Sequence, residues 1–238
     1  MTKAAVRERI WDELEESGVA RFPFPPHGRI PNFAGAPEAA ARLADQPEWG
    51  AADTIKANPD APQLPVRRRA LRDGKTVYMA VPRLRDEQCF LKLDPDVLED
   101  YDEATTVSGS STHGVPVEPD EVGEIDLIVS GSVAVSESGV RIGKGEGYSD
   151  LEYALLREFD LVDEQTPVVT TVHERQLVEG LEGDAHDVPM DLIVTADRCI
   201  RPDSVDKPAG IDWEALSDAQ LDAIPVLEAL RDSTESTR

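Results

Sequence analysis

Residues 125–160, IDLIVSGSVAVSESGVRIGKGEGYSDLEYALLREFD, hold the reading on which the fold turns. IDLIVSG (125–131) is a short apolar run of the kind found in strands buried on both faces of a sheet. SVAVS follows, with a turn at Glu137 to Gly139. Glycines then alternate at 143, 145 and 147, and a helical pattern runs from about 149 to 160. Alternating glycines let a backbone approach a bulky anion closely. The loop feeds a helix N-terminus, whose free N–H groups and dipole favour phosphate. It is neither a P-loop, GxxxxGK[ST], nor the dinucleotide pattern GxGxxG. A tight turn is the competing reading. Against it stand two flanking cations, Arg141 and Lys144, and the acid Asp150 at the loop's exit.

Outward from this unit, further strands are expected near 53–57, 75–81, 166–172 and 190–195, with helices at 3–17, 37–44 and 64–72. Val6, Ile10 and Leu14 lie four apart on one face of the first helix, and Gly18 stops it. Strands alternating with helices argue for a parallel sheet covered on both sides. Residues 21–35 are proline-rich, and Phe22, Phe24 and Phe33 are expected to pack on one another. Residues 102–121 lack periodicity and read as a surface loop or a flap near a site. Domain organisation follows: one α/β domain over 1–204, then a peripheral acidic helix and polar tail over 205–238.

The chain carries 48 Asp and Glu against 24 Lys and Arg, a formal net charge of −24, and only six of the cations are lysine. A domain of this size commonly carries a net charge of about 2–8. The acids are spread along the whole chain instead of forming a patch for a basic partner. That distribution suits a halophilic protein, because the screening length falls from about 10 Å at 0.1 M salt to about 3 Å at 1 M. A nucleic-acid binder needs a basic footprint and is excluded. The N-terminus has no apolar signal core, and no stretch reaches the ~20 apolar residues of a membrane span, so a cytoplasmic monomer is expected. Cys89 and Cys199 give no disulfide framework, and His27, His113, His173 and His186 have no zinc spacing. Trp11 and Trp49 are expected in the core.

The loop resembles the R-L-G-x-G-x-G-Y-Y-D of the 5-formyltetrahydrofolate cyclo-ligase family, with Arg141, Gly143, Gly145, Gly147, Tyr148 and Asp150 in order. Gln176 in HERQLVEG and the string His186 to Asp191 are similar to the family's later glutamine segment and its ND-x-x-VD. Lys3 and Arg7 resemble its K-x-x-x-R, which sets two cations on one helix face. RIPNFAGAPEAAARL and TPVVTTVHERQLV are similar in particular to the branch of methenyltetrahydrofolate synthetase domain-containing proteins. The resemblance implies a three-layer α/β/α sandwich with a mainly parallel sheet. It also implies ATP, Mg²⁺ and a reduced folate, 5-formyltetrahydrofolate, converted to 5,10-methenyltetrahydrofolate. Lys3, Arg7, Arg141 and Lys144 would hold phosphates, with Arg141 and Lys144 acting in the chemical step. Gly143, Gly145, Glu146, Gly147, Tyr148 and Asp150 would complete the nucleotide site. Asp150 and Asp191 would hold Mg²⁺, while Gln176 and His186 would meet the substrate. Two departures stand out. GSVAVS (131–136) replaces the family's PG-x-x-FD, and Ser149 replaces its second tyrosine. They leave open a divergent enzyme using the loop on another substrate, a thiamin-related one included, or a non-catalytic folate-binding protein.

Overall fold

The structure, a computed structural model, describes residues 1–203 and 206–236. The expected domain boundary at 204/205 and the last two residues of the expected tail lie outside the described residues.

Helix α1, Lys3–Glu16, begins where the Thr2 hydroxyl accepts from the Ala5 N–H at 3.2 Å and ends before Gly18, whose φ is 70°. Its buried stripe is Val6, Ile10, Trp11 and Leu14. A short antiparallel pair follows, β1 (Ala20–Arg21) and β2 (Asn32–Phe33). Here an expectation fails. Phe33 is buried, but Phe22 and Phe24 are 78% and 58% exposed and do not join it. Pro23 and Pro25 have no N–H to extend the ladder, so both phenylalanines fall outside the paired segment.

Next come α2 (Ala36–Ala44), α3 (Pro47–Ala51), β3 (Thr54–Ala57), α4 (Leu64–Arg72), β4 (Thr76–Ala80) and β5 (Phe90–Leu93). The stretch expected as a loop at 102–121 instead holds α5 (Tyr101–Ala104), α6 (Val107–His113) and β6 (Val115–Val117). Its polar residues serve as caps: Asp100 accepts from the N–H groups of Asp102 and Glu103, and Thr106 from that of Gly109. Then follow β7 (Leu127–Val129), the hairpin β8 (Ala134–Val135) and β9 (Arg141–Ile142), α7 (Tyr148–Glu158), β10 (Val168–Thr171), β11 (Leu192–Val194) and β12 (Cys199–Ile200). The C-terminal part folds as α8 (Asp218–Ala223) and α9 (Pro225–Ser236).

Eight strands form one sheet in the order β12-β11-β10-β7-β3-β4-β5-β6, with the five from β11 to β4 parallel to one another and the pairings β12–β11, β4–β5 and β5–β6 antiparallel. Alternation along the strands divides the core between two layers. Ile55, Val77, Leu127, Val129, Val169 and Leu192 pack with Leu43 of α2, Trp49 of α3 and Val66 of α4. Tyr78, Ile128, Val168 and Ile193 pack with Leu151 and Leu155 of α7. This is the expected three-layer sandwich. No helix among the described residues is long and apolar enough to cross a membrane.

The C-terminal residues are not peripheral, contrary to the expectation from their acidity. Ile211, Ile224, Val226 and Leu227 are buried in the α7-side core. Lys207 Nζ donates to the carbonyls of Glu164 and Thr166 at 2.9 Å, and the Ile211 N–H donates to Glu158 at 2.8 Å. The acids face water while the few apolar residues among them cover the outer side of α7.

The order of the parallel strands sets the site. From β3 the chain moves outward to β4, then returns to place β7 on the other side of β3. At such a switch point adjacent connections leave in opposite directions and open a crevice beyond the carboxyl ends of the strands.

Candidate functional site

A cavity of about 440 Å³ occupies that crevice. Its walls come from strand ends and the residues just past them: Asn58 to Asp60 after β3, Ala80 at the end of β4 with Val81 to Arg83 after it, and Gly131 after β7. Lys3 and Arg7 of α1 close one side, and the loop 143–147 with the start of α7 closes another.

Arg141 lies at the base of the glycine loop, 5% exposed, with Nη1 donating to the Gly131 carbonyl at 2.8 Å. Its Nη2 donates to both oxygens of Asp150 at 2.9 and 2.8 Å, and its Nε is buried without a partner. Asp150 also accepts from the Val188 N–H at 3.1 Å. The bidentate pair therefore ties strand β9 to the first turn of α7 and leaves Asp150 largely engaged.

Arg7 donates from Nε to the Gly143 carbonyl at 2.7 Å. Burial pulls its guanidinium below the ordinary arginine range, partly offset by Asp187. Gly145 has φ 106°, and a Cβ built there would meet Arg7 Cζ at 3.1 Å. Gly147, at φ 74°, precedes the first residue of α7. Both positions need glycine for a backbone that L side chains avoid.

Lys3 bridges Asp184 at 2.7 Å and Asp187 at 2.5 Å. Burial pulls its ammonium down, but the hydrogen bonds to those carboxylates outweigh it and leave Lys3 above the ordinary lysine range. Lys144 pairs with Glu146 at 2.7 Å, and Arg83 reaches the same carboxylate at 3.5 Å. The Lys144 hydrogen bond holds the Glu146 carboxyl below the usual range. Tyr148 and Ser149 also line the cavity, and the Ser149 hydroxyl lies 3.4 Å from that of Ser130.

Lys3, Arg7, Arg141, Gly143, Lys144, Gly145, Glu146, Gly147, Tyr148, Asp150 and His186 all line this one cavity. Two expected site residues do not, among the described residues. Asp191 precedes β11, at the amino end of a parallel strand, whereas the crevice lies beyond the carboxyl ends. Its carboxylate accepts from the Val168 N–H at 2.7 Å and pairs with Lys207 at 2.8 Å. The pairing of Asp150 with Asp191 around Mg²⁺ is therefore corrected. Gln176 is fully buried and donates to the carbonyls of Ser132 at 2.9 Å and Val133 at 3.2 Å, while its own carbonyl accepts from the His173 N–H. It holds the β8–β9 hairpin in place and does not face the cavity.

The sequence reading missed Asn58, Asp60, Lys56, Glu152, Asp184 and Asp187. Asn58 and Asp60 are supported from below by Arg67, which is 1% exposed and donates to the carbonyls of both at 2.5 and 3.0 Å. Burial lowers the Arg67 guanidinium to about 10. The Asp60 carboxyl is half-buried, and no donor among the described residues reaches it. Burial pushes it up, against the pull of Lys144 and Arg67. Their place directly after a strand was the available signal, but it becomes informative only once strand order is known. Asp184, His186 and Asp187 bring ligand atoms within 4.8 Å of one another, at the spot now taken by Lys3. Two carboxylates beside a cavity fit a hard cation, which prefers oxygen ligands.

Comparison with known proteins gives the relatives of this chain. A model of the 5-formyltetrahydrofolate cyclo-ligase family matches residues 2–196. The methenyltetrahydrofolate synthase domain-containing protein of mouse is 44% identical over 245 residues, covering 98% of this chain and 64% of its own length. Its human counterpart is 40% identical over 244 residues, covering 97% and 62%. The chain thus spans less than two thirds of these relatives. The NMR structure of Aquifex aeolicus 5,10-methenyltetrahydrofolate synthetase has the same fold, with a TM-score of 0.55, 19% identity, and coverage of 91% of this chain and 100% of that one.

Proposed function

This chain belongs to the 5-formyltetrahydrofolate cyclo-ligase family, and from that premise we propose that it is an ATP-dependent cyclo-ligase acting on 5-formyltetrahydrofolate. The observation that carries the reading is the convergence of Lys3, Arg7, Arg141 and Lys144 on the glycine loop at the switch-point crevice. Lys3 and Lys144 are already matched by carboxylates of the chain and Arg7 by a carbonyl, so a polyphosphate would enter by exchange at these three: those partners turn away and phosphate oxygens take their place.

The formyl oxygen of an amide is a poor leaving group and needs activation. It attacks the γ-phosphorus of ATP, the bond to the β,γ-bridging oxygen breaks, and ADP leaves. The substrate's N10 then attacks the formyl carbon, the carbon–oxygen bond breaks, and phosphate departs with the oxygen as N10 loses its proton. Phosphoryl transfer is mainly positioning and charge neutralisation. Lys144 and Arg7 would steady the transferring group, backbone N–H groups at the start of α7 would hold the phosphates, and Arg141 would fix the loop through Asp150. Asp184 and Asp187, freed when Lys3 swings to phosphate, are the residues that would hold Mg²⁺. When bound there, the metal would supply neutralisation of phosphate charge.

The test is the absorbance of methenyltetrahydrofolate when protein, ATP, Mg²⁺ and 5-formyltetrahydrofolate are mixed in molar salt. Product formation that depends on ATP is expected. In Gly145→Val a branched side chain meets Arg7 at a left-handed position, so ATP binding by calorimetry should be lost in a protein whose circular dichroism is unchanged. Unaltered ATP affinity in that variant would overturn the phosphate loop. ATP binding without methenyl product would instead point to another substrate on the same loop, the reading that Ser149 favours.

A further inference from the structure

The side chains of β3 alternate between the two faces of the sheet. Ile55 and Ala57 go to the α2–α4 side. Lys56 goes to the other, in register with Tyr78 of β4 and Ile128 of β7, both apolar members of the α7-side core. An apolar side chain would serve the packing there. The residue is a lysine, 1% exposed, and its ammonium meets Glu152 from the second turn of α7. Glu152 is itself 6% exposed and lines the cavity.

Stability does not account for such a pair. Removing two ions from water costs several kcal/mol each, and a packed apolar pair in the same space is often neutral or better. Nor does α7 need the pair to stay on the sheet, since Leu151, Leu155 and Leu156 already bury that contact. Its place suggests a use. Glu152 follows Ser149 by three positions, so both fall on the same face of α7. The Asp60 carboxyl lies near enough to feel both Glu152 and Lys56. Between α7 and the end of β3 the cavity thus presents hydrogen-bond acceptors: two carboxylates and a hydroxyl. A carboxylate has about four lone-pair sites. One is taken by Lys56, and no other donor among the described residues reaches Glu152.

We propose that Glu152, aimed by Lys56, is a specificity residue of this cavity, accepting hydrogen bonds from adjacent N–H groups on the ring of the substrate. The matching chemistry is the donor edge of a 2-amino-4-oxopyrimidine, where a ring N–H and an exocyclic amino group point the same way as the prongs of a guanidinium. Lys56 is a positioning residue: it touches Glu152 and sets the direction of its carboxylate. The inference rests on the reduced-folate reading of the site and names the chain's own groups that would read the pterin.

The experiment is calorimetric titration of the protein in molar KCl with 5-formyltetrahydrofolate and with its 2-desamino-2-methyl analogue. Wild type, Glu152→Gln and the double variant Lys56→Met/Glu152→Leu are compared. Wild type should prefer the amino compound by roughly 10- to 100-fold, the worth of a hydrogen bond to a charged acceptor. Both variants should bind the two compounds within about threefold of each other while their affinity for ATP stays unchanged. The double variant leaves no unpaired buried charge, so it folds even if Glu152→Gln does not. Wild type that binds both compounds equally, or a double variant that keeps the preference, overturns the assignment. Wild type that binds neither compound overturns the reduced-folate reading itself, and the assignment with it.

Discussion

Arg141 and Arg72 each face an aspartate at nearly the same distance, 2.8 Å to Asp150 and 2.7 Å to Asp102. By distance the two pairs are equivalent. By surroundings they are not: the Arg141–Asp150 side chains are 4% and 14% exposed, the Arg72–Asp102 side chains 53% and 56%. Two unit charges 4 Å apart interact by about 1 kcal/mol in water and about 4 kcal/mol at the effective dielectric of a protein. The first pair also shares its hydrogen bonds with the Gly131 carbonyl and the Val188 N–H, and so joins three segments of the site. The second crosses between two surface helices. In this acidic protein the cations are few, and the site's are those whose partners are buried or shared.

Four measurements press on that contrast. The largest effect belongs to the surface as a whole. With a net charge of −24, self-repulsion acts over about 10 Å in dilute buffer and about 3 Å in molar salt. The melting temperature by circular dichroism should therefore climb steadily from 0.1 M to 3 M KCl, with the protein loosened at the low end. A flat or falling series would mean the acids serve a basic partner instead.

Next is Arg141→Met, which strands the half-buried Asp150. Breaking one side of a buried pair costs about 3–5 kcal/mol, read by urea unfolding in molar salt. A loss below about 1 kcal/mol would place this pair with the surface class. Asp60→Asn should have the opposite sign. The folded state holds the Asp60 carboxyl above its unfolded value of 3.8, so ionising it opposes folding. Stability from this group is present at pH below 3.8 and falls as pH rises toward the folded value. The variant should accordingly be more stable than wild type at pH 7, and the two should converge on acidification. An equal gain at pH 3 and pH 7 would show that charge is not the cause. The smallest effect is Arg72→Ala, about 0.2–1 kcal/mol in 0.1 M salt and indistinguishable from zero at 3 M.

The parts legible in the chain were those carried by local order. The 125–131 run, the alternating glycines and the helix after them each declare themselves within a few residues, because period and turn chemistry are local properties. So does the first helix. Pairing across long separations was not legible. Asp191 sits in a motif-like string beside Asp187, yet the direction of β11 carries Asp191 to the amino end of the sheet and leaves Asp187 at the cavity. Gln176 looked like a ligand for a substrate and is a brace for a hairpin. The C-terminal stretch looked too acidic to be buried, but its composition hid four apolar residues that cover α7.

The amino-acid sequence by itself determined the class of fold, the alternating-glycine loop ahead of a helix and the strongly acidic surface. All three depend on residue type and short-range spacing. Only the tertiary structure decided which charges matter. Strand order opened the crevice between β3 and β7, brought Asp60 and Glu152 to its wall from 92 residues apart by number, 60 and 152, and enclosed Lys56 and Arg141 where water does not screen them. A charge acquires its meaning from burial and from its neighbours, and both are set by contacts between segments that lie far apart in the chain.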